Sequence, residues 1–91
     1  FDLKYHLPNP DEETRLELIK MNTSHKKLAS GVNLDKLAQA FENLSSAAIE
    51  TIINEAQVLA LLKESNEISL ENVIDASIKT NLKIDTKKLL W

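Results

Sequence analysis

The chain has 91 residues, enough for one domain around one core and too few for two. Hydrophobic residues make up 43% against 27% charged, and one Gly with two Pro leaves few turn-makers for a sheet, so the predicted class is all-α. The lack of cysteine excludes disulfides and thiolate metal sites, and a net charge of −3 argues against a general nucleic-acid binder.

Residues 1–8 are extended in character, with Pro8 disfavouring helix before it. The opening at Phe1-Asp2-Leu3 is abrupt and reads as a cut inside a longer polypeptide. It carries no signal-peptide pattern, and no apolar run in the chain approaches the roughly 18–20 residues that span a bilayer. Asn9-Pro10-Asp11-Glu12 is a helix-start signal: Asn as the cap, Pro at the first helical position and Glu three residues after the cap. The first predicted helix places Leu18, Met21, His25 and Leu28 on one side and stops at Ser30-Gly31.

A second start falls at Asn33, and Leu34, Leu37, Ala38 and Phe41 then recur at i, i+3, i+4 and i+7. Asn43-Leu44 breaks that pattern, and Ser45 or Ser46 can cap a third, longest helix. Ile49, Ile52, Ile53, Ala56 and Ala60 form its stripe. Leu59, Leu61 and Leu62 widen the apolar face, which predicts a central helix contacted on two sides. A fourth helix follows a cap at Ser69, with Leu70, Val73, Ile74, Ser77 and Ile78 as its stripe. The sum is a small four-helix bundle with an extended N-terminal lead-in over residues 1–80. A basic tail or extra helical turn follows over 81–91.

Reactive constellations are scarce. There is no Cys nucleophile, no phosphate-cradling Gly-rich loop and no His pair at metal spacing. His6 and His25 stand alone, as surface and packing histidines do. Asp11, Glu12 and Glu13 suit the positive end of a helix dipole without any metal.

The order of the motifs is nevertheless informative. Phe1-Asp2, then Leu7-Pro8-Asn9-Pro10-Asp11 and Thr14-Arg15, resembles the segment that leaves the ATPase core of AAA+ proteins. The likeness continues through Val32-Asn33-Leu34, the run from Glu42 to Glu50, Asn54-Glu55-Ala56 and Ile68 to Val73, so it covers about residues 1–79. This combination is similar to the helical lid domain of FtsH-like proteases, proteasomal ATPases and valosin-containing-protein-like unfoldases.

The resemblance implies a lid that closes over the adenine and ribose of ATP or ADP and contacts the next subunit of a ring, usually a hexamer. Catalysis would reside in a preceding core whose Walker motifs and arginine fingers this chain lacks. Carried over position by position, the nucleotide contacts would be Leu18 on the adenine, Asn22 where the family often has His, and Ser46-Ala47 where it has Gly-Ala. The departures are Asn for His at 22, Ser for Gly at 46, Ala for Asp at 48 and Asn for Gly at 43. Together they point to a divergent nucleotide site.

The expected partners are the domain's own core and the neighbouring subunit, in the cytoplasm, with the isolated chain a monomer that does not touch membrane. Leu89-Leu90-Trp91 lacks the Tyr of the hydrophobic-Tyr-any ending found in proteasomal ATPases.

Two other readings compete. One is a helical interaction module that recruits a regulator or assembly chaperone through an apolar patch at Leu61, Leu62, Leu89, Leu90 and Trp91. The other is a nucleic-acid binder using Lys79, Lys83, Lys87 and Lys88, which ranks low because acidic residues outnumber basic ones.

Overall fold

A computed structural model describes residues 11–42 and 44–90, without the side chain of Leu90. Five helices follow one another: α1 (Glu12–Thr23), α2 (Leu34–Ala40), α3 (Ser46–Leu62), α4 (Leu70–Lys79) and α5 (Thr86–Leu90). The architecture is the all-α bundle expected from composition, with no strand among the described residues.

Asp11, rather than Asn9, caps α1: its carboxylate accepts the Thr14 N–H at 2.8 Å, satisfying an amide that has no partner inside the helix. Asn9 and Pro10 themselves lie outside the described residues. The helix also ends earlier than the Ser30-Gly31 stop. Thr23 Oγ1 donates to the Ile19 carbonyl at 2.7 Å and Ser24 Oγ to the Met21 carbonyl at 3.1 Å, so side chains engage the last-turn carbonyls. The chain then pairs elsewhere. Ile68 N–H donates to Lys27 O and Ala29 N–H to Ile68 O, both at 2.9 Å, making an isolated parallel bridge between Leu28 and Ile68. His25 and Leu28 therefore belong to a loop and not to α1.

The buried face of α1 is also rotated from the one expected. Ile19, Arg15 and Thr23 turn inward, whereas Met21 is 70% exposed and Leu18 is half-buried. Apolar residues stand around much of α1 (Leu16, Leu18, Ile19, Met21), so its sequence offers several competing faces.

The next elements follow their local signals. Asn33 caps α2, its Oδ1 accepting from Asp35 N–H at 2.8 Å and Lys36 N–H at 3.3 Å. Leu37, Ala38, Ala40 and Phe41 are buried beneath it. Ser45 caps α3 by accepting from Ala48 N–H at 3.1 Å, which makes Ser46 the first helical residue rather than the cap.

All five residues of the predicted α3 stripe are buried, and α3 packs against both α1 and α4. Leu61 and Leu62, by contrast, face outward, Leu62 being 70% exposed. They fall in the last turn, beyond the stripe that the flanking helices cover.

A capping box at Ser69 and Asn72 starts α4. Val73 and Ser77 are buried as expected, but Asn72 and Ala76 join them in place of Ile78, which is exposed. Lys79 and Glu55 pair at 3.0 Å across α3 and α4. The fifth helix is the extra turn of the tail. Asp85 N–H donates to Ala40 O at 2.9 Å, and Leu89 is buried in the common core against α2, which removes it from any exposed patch. Trp91 and the Leu90 side chain lie outside the described residues.

Candidate functional site

The packing of α1 on α3 sets two distant stretches of sequence side by side. Leu18, Met21 and Asn22 come from the second half of α1, and Ser46, Ala47 and Glu50 from the first turn and a half of α3. Together they line one open concavity of about 300 Å³. All four residues singled out by resemblance — Leu18, Asn22, Ser46 and Ala47 — are in that set. Met21 and Glu50 are additions that the sequence reading did not single out. Met21 stands with Leu18 on one side of the predicted first helix and Glu50 closes the motif run that begins at Glu42, but neither is among the predicted contacts.

Each wall has a local cause. Ile19 is fully buried one residue from Leu18, so Leu18 sits at the edge of the core with part of its surface toward the cleft. Asn22 is held by its own helix: Nδ2 donates to the Leu18 carbonyl at 2.9 Å. Lys26 Nζ caps the Asn22 carbonyl at 2.8 Å, which ties the turn after α1 back to the helix. Across the cleft, Ser45 holds the Ala48 amide, leaving Ser46 and Ala47 as the first exposed residues of α3. Their backbone amides belong to the first turn of a helix, where N–H groups lack intrahelical acceptors.

The electrostatics are simple. Glu50 is the one charged residue among the six, and its carboxylate has no hydrogen bond or ion pair among the described residues. The cleft therefore combines apolar surface from Leu18, Met21 and Ala47 with an amide and a hydroxyl, on an acidic rim. That mixture suits a flat uncharged ligand better than an anionic one. Asn43, another departure from the family pattern, lies outside the described residues.

Two features bear on the other readings. The described residues hold no group of three or more His, Cys, Asp or Glu side chains able to share a metal ion. No helix in them is long and apolar enough to cross a membrane. A separate concavity of about 270 Å³ lies by the Leu28–Ile68 bridge, lined by His25, Lys27 and Leu61 among others, and shares no residue with the first.

Fold and cleft together define a small all-helical module with a shallow groove between its first and third helices. No profile of a known family matches the chain. Individual relatives do.

The ATP-dependent zinc metalloprotease FtsH of Streptobacillus moniliformis is 34% identical over 87 residues, 96% of this chain and 13% of that protein. The proteasome-activating nucleotidase of Methanosarcina mazei is 30% identical over 90 residues, 99% of this chain and 21% of that protein. That of Methanopyrus kandleri is 36% identical over 76 residues, 84% of this chain and 17% of that protein. The chain belongs to the AAA+ ATPases, in the company of FtsH and the proteasome-activating ATPases. It spans about an eighth to a fifth of the length of these relatives.

Proposed function

We propose that this module is the lid of an AAA+ ATPase of the unfoldase or protease type. In this reading the cleft between α1 and α3 closes over the adenine and ribose of ATP or ADP held by a separate core, and the module contacts the next subunit of a ring. Phosphate chemistry belongs to that core, so the module does not hydrolyse ATP by itself. Its setting is the cytoplasmic side of the cell, where ATP is available. The single observation that carries the reading is the meeting of Leu18 and Asn22 with Ser46 and Ala47 in one cleft.

The physical logic is differential contact. A ligand shared by two bodies favours the arrangement in which both touch it, so nucleotide occupancy biases lid against core, and loss of nucleotide releases it. Leu18 and Ala47 supply apolar faces for a base.

A test is Ala47→Arg in the complete polypeptide, with ADP binding measured at equilibrium. Ala47 is exposed, so the domain tolerates the longer side chain, which then occupies the cleft. ADP affinity falls at least about tenfold if the lid covers the base. Unchanged affinity in a folded protein rules the reading out.

The recruitment of a regulator or assembly chaperone is a second reading, favoured by the neighbouring exposures of Val58, Leu61 and Leu62 along the outer side of α3. These positions lie outside the proposed nucleotide cleft, so both roles are compatible.

A further inference from the structure

We propose that residues 27–29 form a docking edge that takes up an extended acidic peptide as an added β-strand. The inference goes beyond the lid reading, because the groove beside this edge shares no residue with the nucleotide cleft.

The Leu28–Ile68 bridge is a fragment of parallel sheet with two unlike edges. Between the strands, Ile68 N–H donates to Lys27 O and Ala29 N–H to Ile68 O, so the N–H and C=O of Leu28 point to the opposite side of their strand. The edge beyond Ile68 is closed by side chains. Ser65 Oγ accepts from Glu67 N–H and donates to Glu67 O, both at 3.1 Å, and Asn72 Oδ1 accepts from Ser69 N–H at 3.0 Å. The edge beyond Leu28 has no such cover: neither its N–H nor its C=O has a hydrogen-bond partner among the described residues. Three residues on, a Cβ at Gly31 would meet nothing within 4 Å, so the segment runs out into open space. A free N–H and C=O on one residue are what an incoming antiparallel strand bonds, both to a single residue of its own.

The charges beside the edge select the strand. The concavity of about 270 Å³ takes His25, Lys26 and Lys27 from the loop after α1 and Gln57, Ala60 and Leu61 from α3. No acidic residue lines it, although the chain as a whole carries a net charge of −3. Glu64 and Glu67 are near in sequence but are not part of its walls. Lys26 gives one N–H to Asn22 O and keeps two. The exposed Lys27 ammonium has no hydrogen bond or ion pair among the described residues. Strand side chains alternate, so the two peptide residues flanking the one opposite Leu28 share the face of the Lys27 side chain. Carboxylates there meet the ammonium groups, and lysines there are repelled. The residue between them shares the face of the half-buried Leu28 and is apolar. The fitting segment is therefore acidic, apolar, acidic.

The probe is an end-blocked, fluorescein-labelled Ser-Glu-Val-Glu-Ser peptide, titrated with the 91-residue chain and read by anisotropy. Saturable binding is expected, about tenfold tighter than that of the same peptide with Lys for both Glu. Lys27→Glu, a change at an exposed position, is expected to weaken the acidic peptide about fivefold and to favour the basic one. N-methylation of the valine, whose N–H would bond Leu28 O, is expected to cost about tenfold, and N-methylation of the following glutamate, whose N–H points away, less than about twofold. Equal binding of the acidic and basic peptides overturns the proposal, as do equal effects of the two methylations or no saturable binding up to about 1 mM peptide. Ala47→Arg, the variant that tests the lid reading, is expected to leave peptide binding unchanged, so the two readings fail separately. Loss of peptide binding in that variant would put the peptide in the cleft between α1 and α3 and overturn the docking edge.

Discussion

The guanidinium Nε of Arg15 donates to the backbone carbonyl of Ala38 at 2.7 Å, joining α1 to α2 inside the bundle. Arg15 is only 7% exposed, although charged residues are rarely buried so fully without partners. Ala38 is itself buried, and its carbonyl otherwise has little access to water. Replacing Arg15 with Ala removes the donor and also its largely buried aliphatic stem. The expected loss is about 2–3 kcal/mol of unfolding free energy, read as a lower urea midpoint at unchanged slope. Arg15→Lys recovers little of it, because the ammonium sits beyond the position of the Nε that makes this bond.

The α3 stripe and the last turn of the same helix give an internal contrast. Ile52 is completely buried, so Ile52→Ala leaves a cavity and costs about 2–5 kcal/mol. Leu62→Ala ten residues on removes a side chain that is 70% exposed and changes stability by no more than about 0.5 kcal/mol. Thermal or urea unfolding of the 91-residue chain checks both. An equal cost for the two would contradict the packing described for α3.

Two helices end on residues with positive φ that are not glycine: Glu64 at 59° after α3 and Asn81 at 61° after α4. In each case the left-handed residue lets two amides reach back to helix carbonyls. Glu64 N–H bonds Leu61 O and Ser65 N–H bonds Ala60 O, both at 2.9 Å. Asn81 N–H bonds Ile78 O at 3.1 Å and Leu82 N–H bonds Ser77 O at 3.0 Å. Asn tolerates this conformation and Glu resists it. Glu64→Gly is therefore expected to stabilise the domain by about 0.5–1 kcal/mol, whereas Asn81→Gly gains less. A rise in melting temperature for the first and a smaller one for the second is the readout.

Asp11 gives a pH signature. The Thr14 amide bonded to its carboxylate holds the group below its ordinary value of 3.8, aided by the nearby Arg15 charge. A lowered folded-state pKa means that its stabilisation is present above about pH 3.8 and is lost as pH falls through the lower, folded-state value. Asp11→Asn keeps a capping oxygen but does not titrate. The melting temperatures of wild type and Asp11→Asn should therefore converge as pH drops below 3.8 and separate above it. Added salt should narrow the separation, since the group is at the surface. Lys63 is the alkaline counterpart: its bond to Glu71 raises its pKa above 10.5. That pair contributes fully below 10.5 and is lost as pH rises through the folded-state value.

Local signals carried much of the fold because their energetics are local. Asn33, Ser45 and Ser69 cap helices where the spacing places them, since each satisfies an amide two or three residues away. The α3 stripe is readable because it is apolar at every inward position over about three turns. The candidate site residues came from motif likeness, and nothing in the local periodicity of α1 or α3 marks Leu18, Asn22, Ser46 or Ala47. Glu50 ends the motif run from Glu42 and Met21 shares a helix side with Leu18, but neither pattern marks a cleft residue, as an exposed helical Glu and a Met near an apolar row look ordinary in sequence.

What sequence alone determined is thus the helical class, three of the caps, the inner face of α3 and the kinship with AAA+ proteins. Only tertiary structure decided which side of α1 turns inward, that Arg15 serves Ala38, and that α1 stops at Thr23 so that Lys27 and Ala29 can bond Ile68. Tertiary structure alone also brought Asn22 and Ser46 to one cleft. The division has one physical reason. Caps and stripes are settled within a few residues of themselves. The orientation of a helix with apolar residues on several sides is settled by what the other helices have left uncovered.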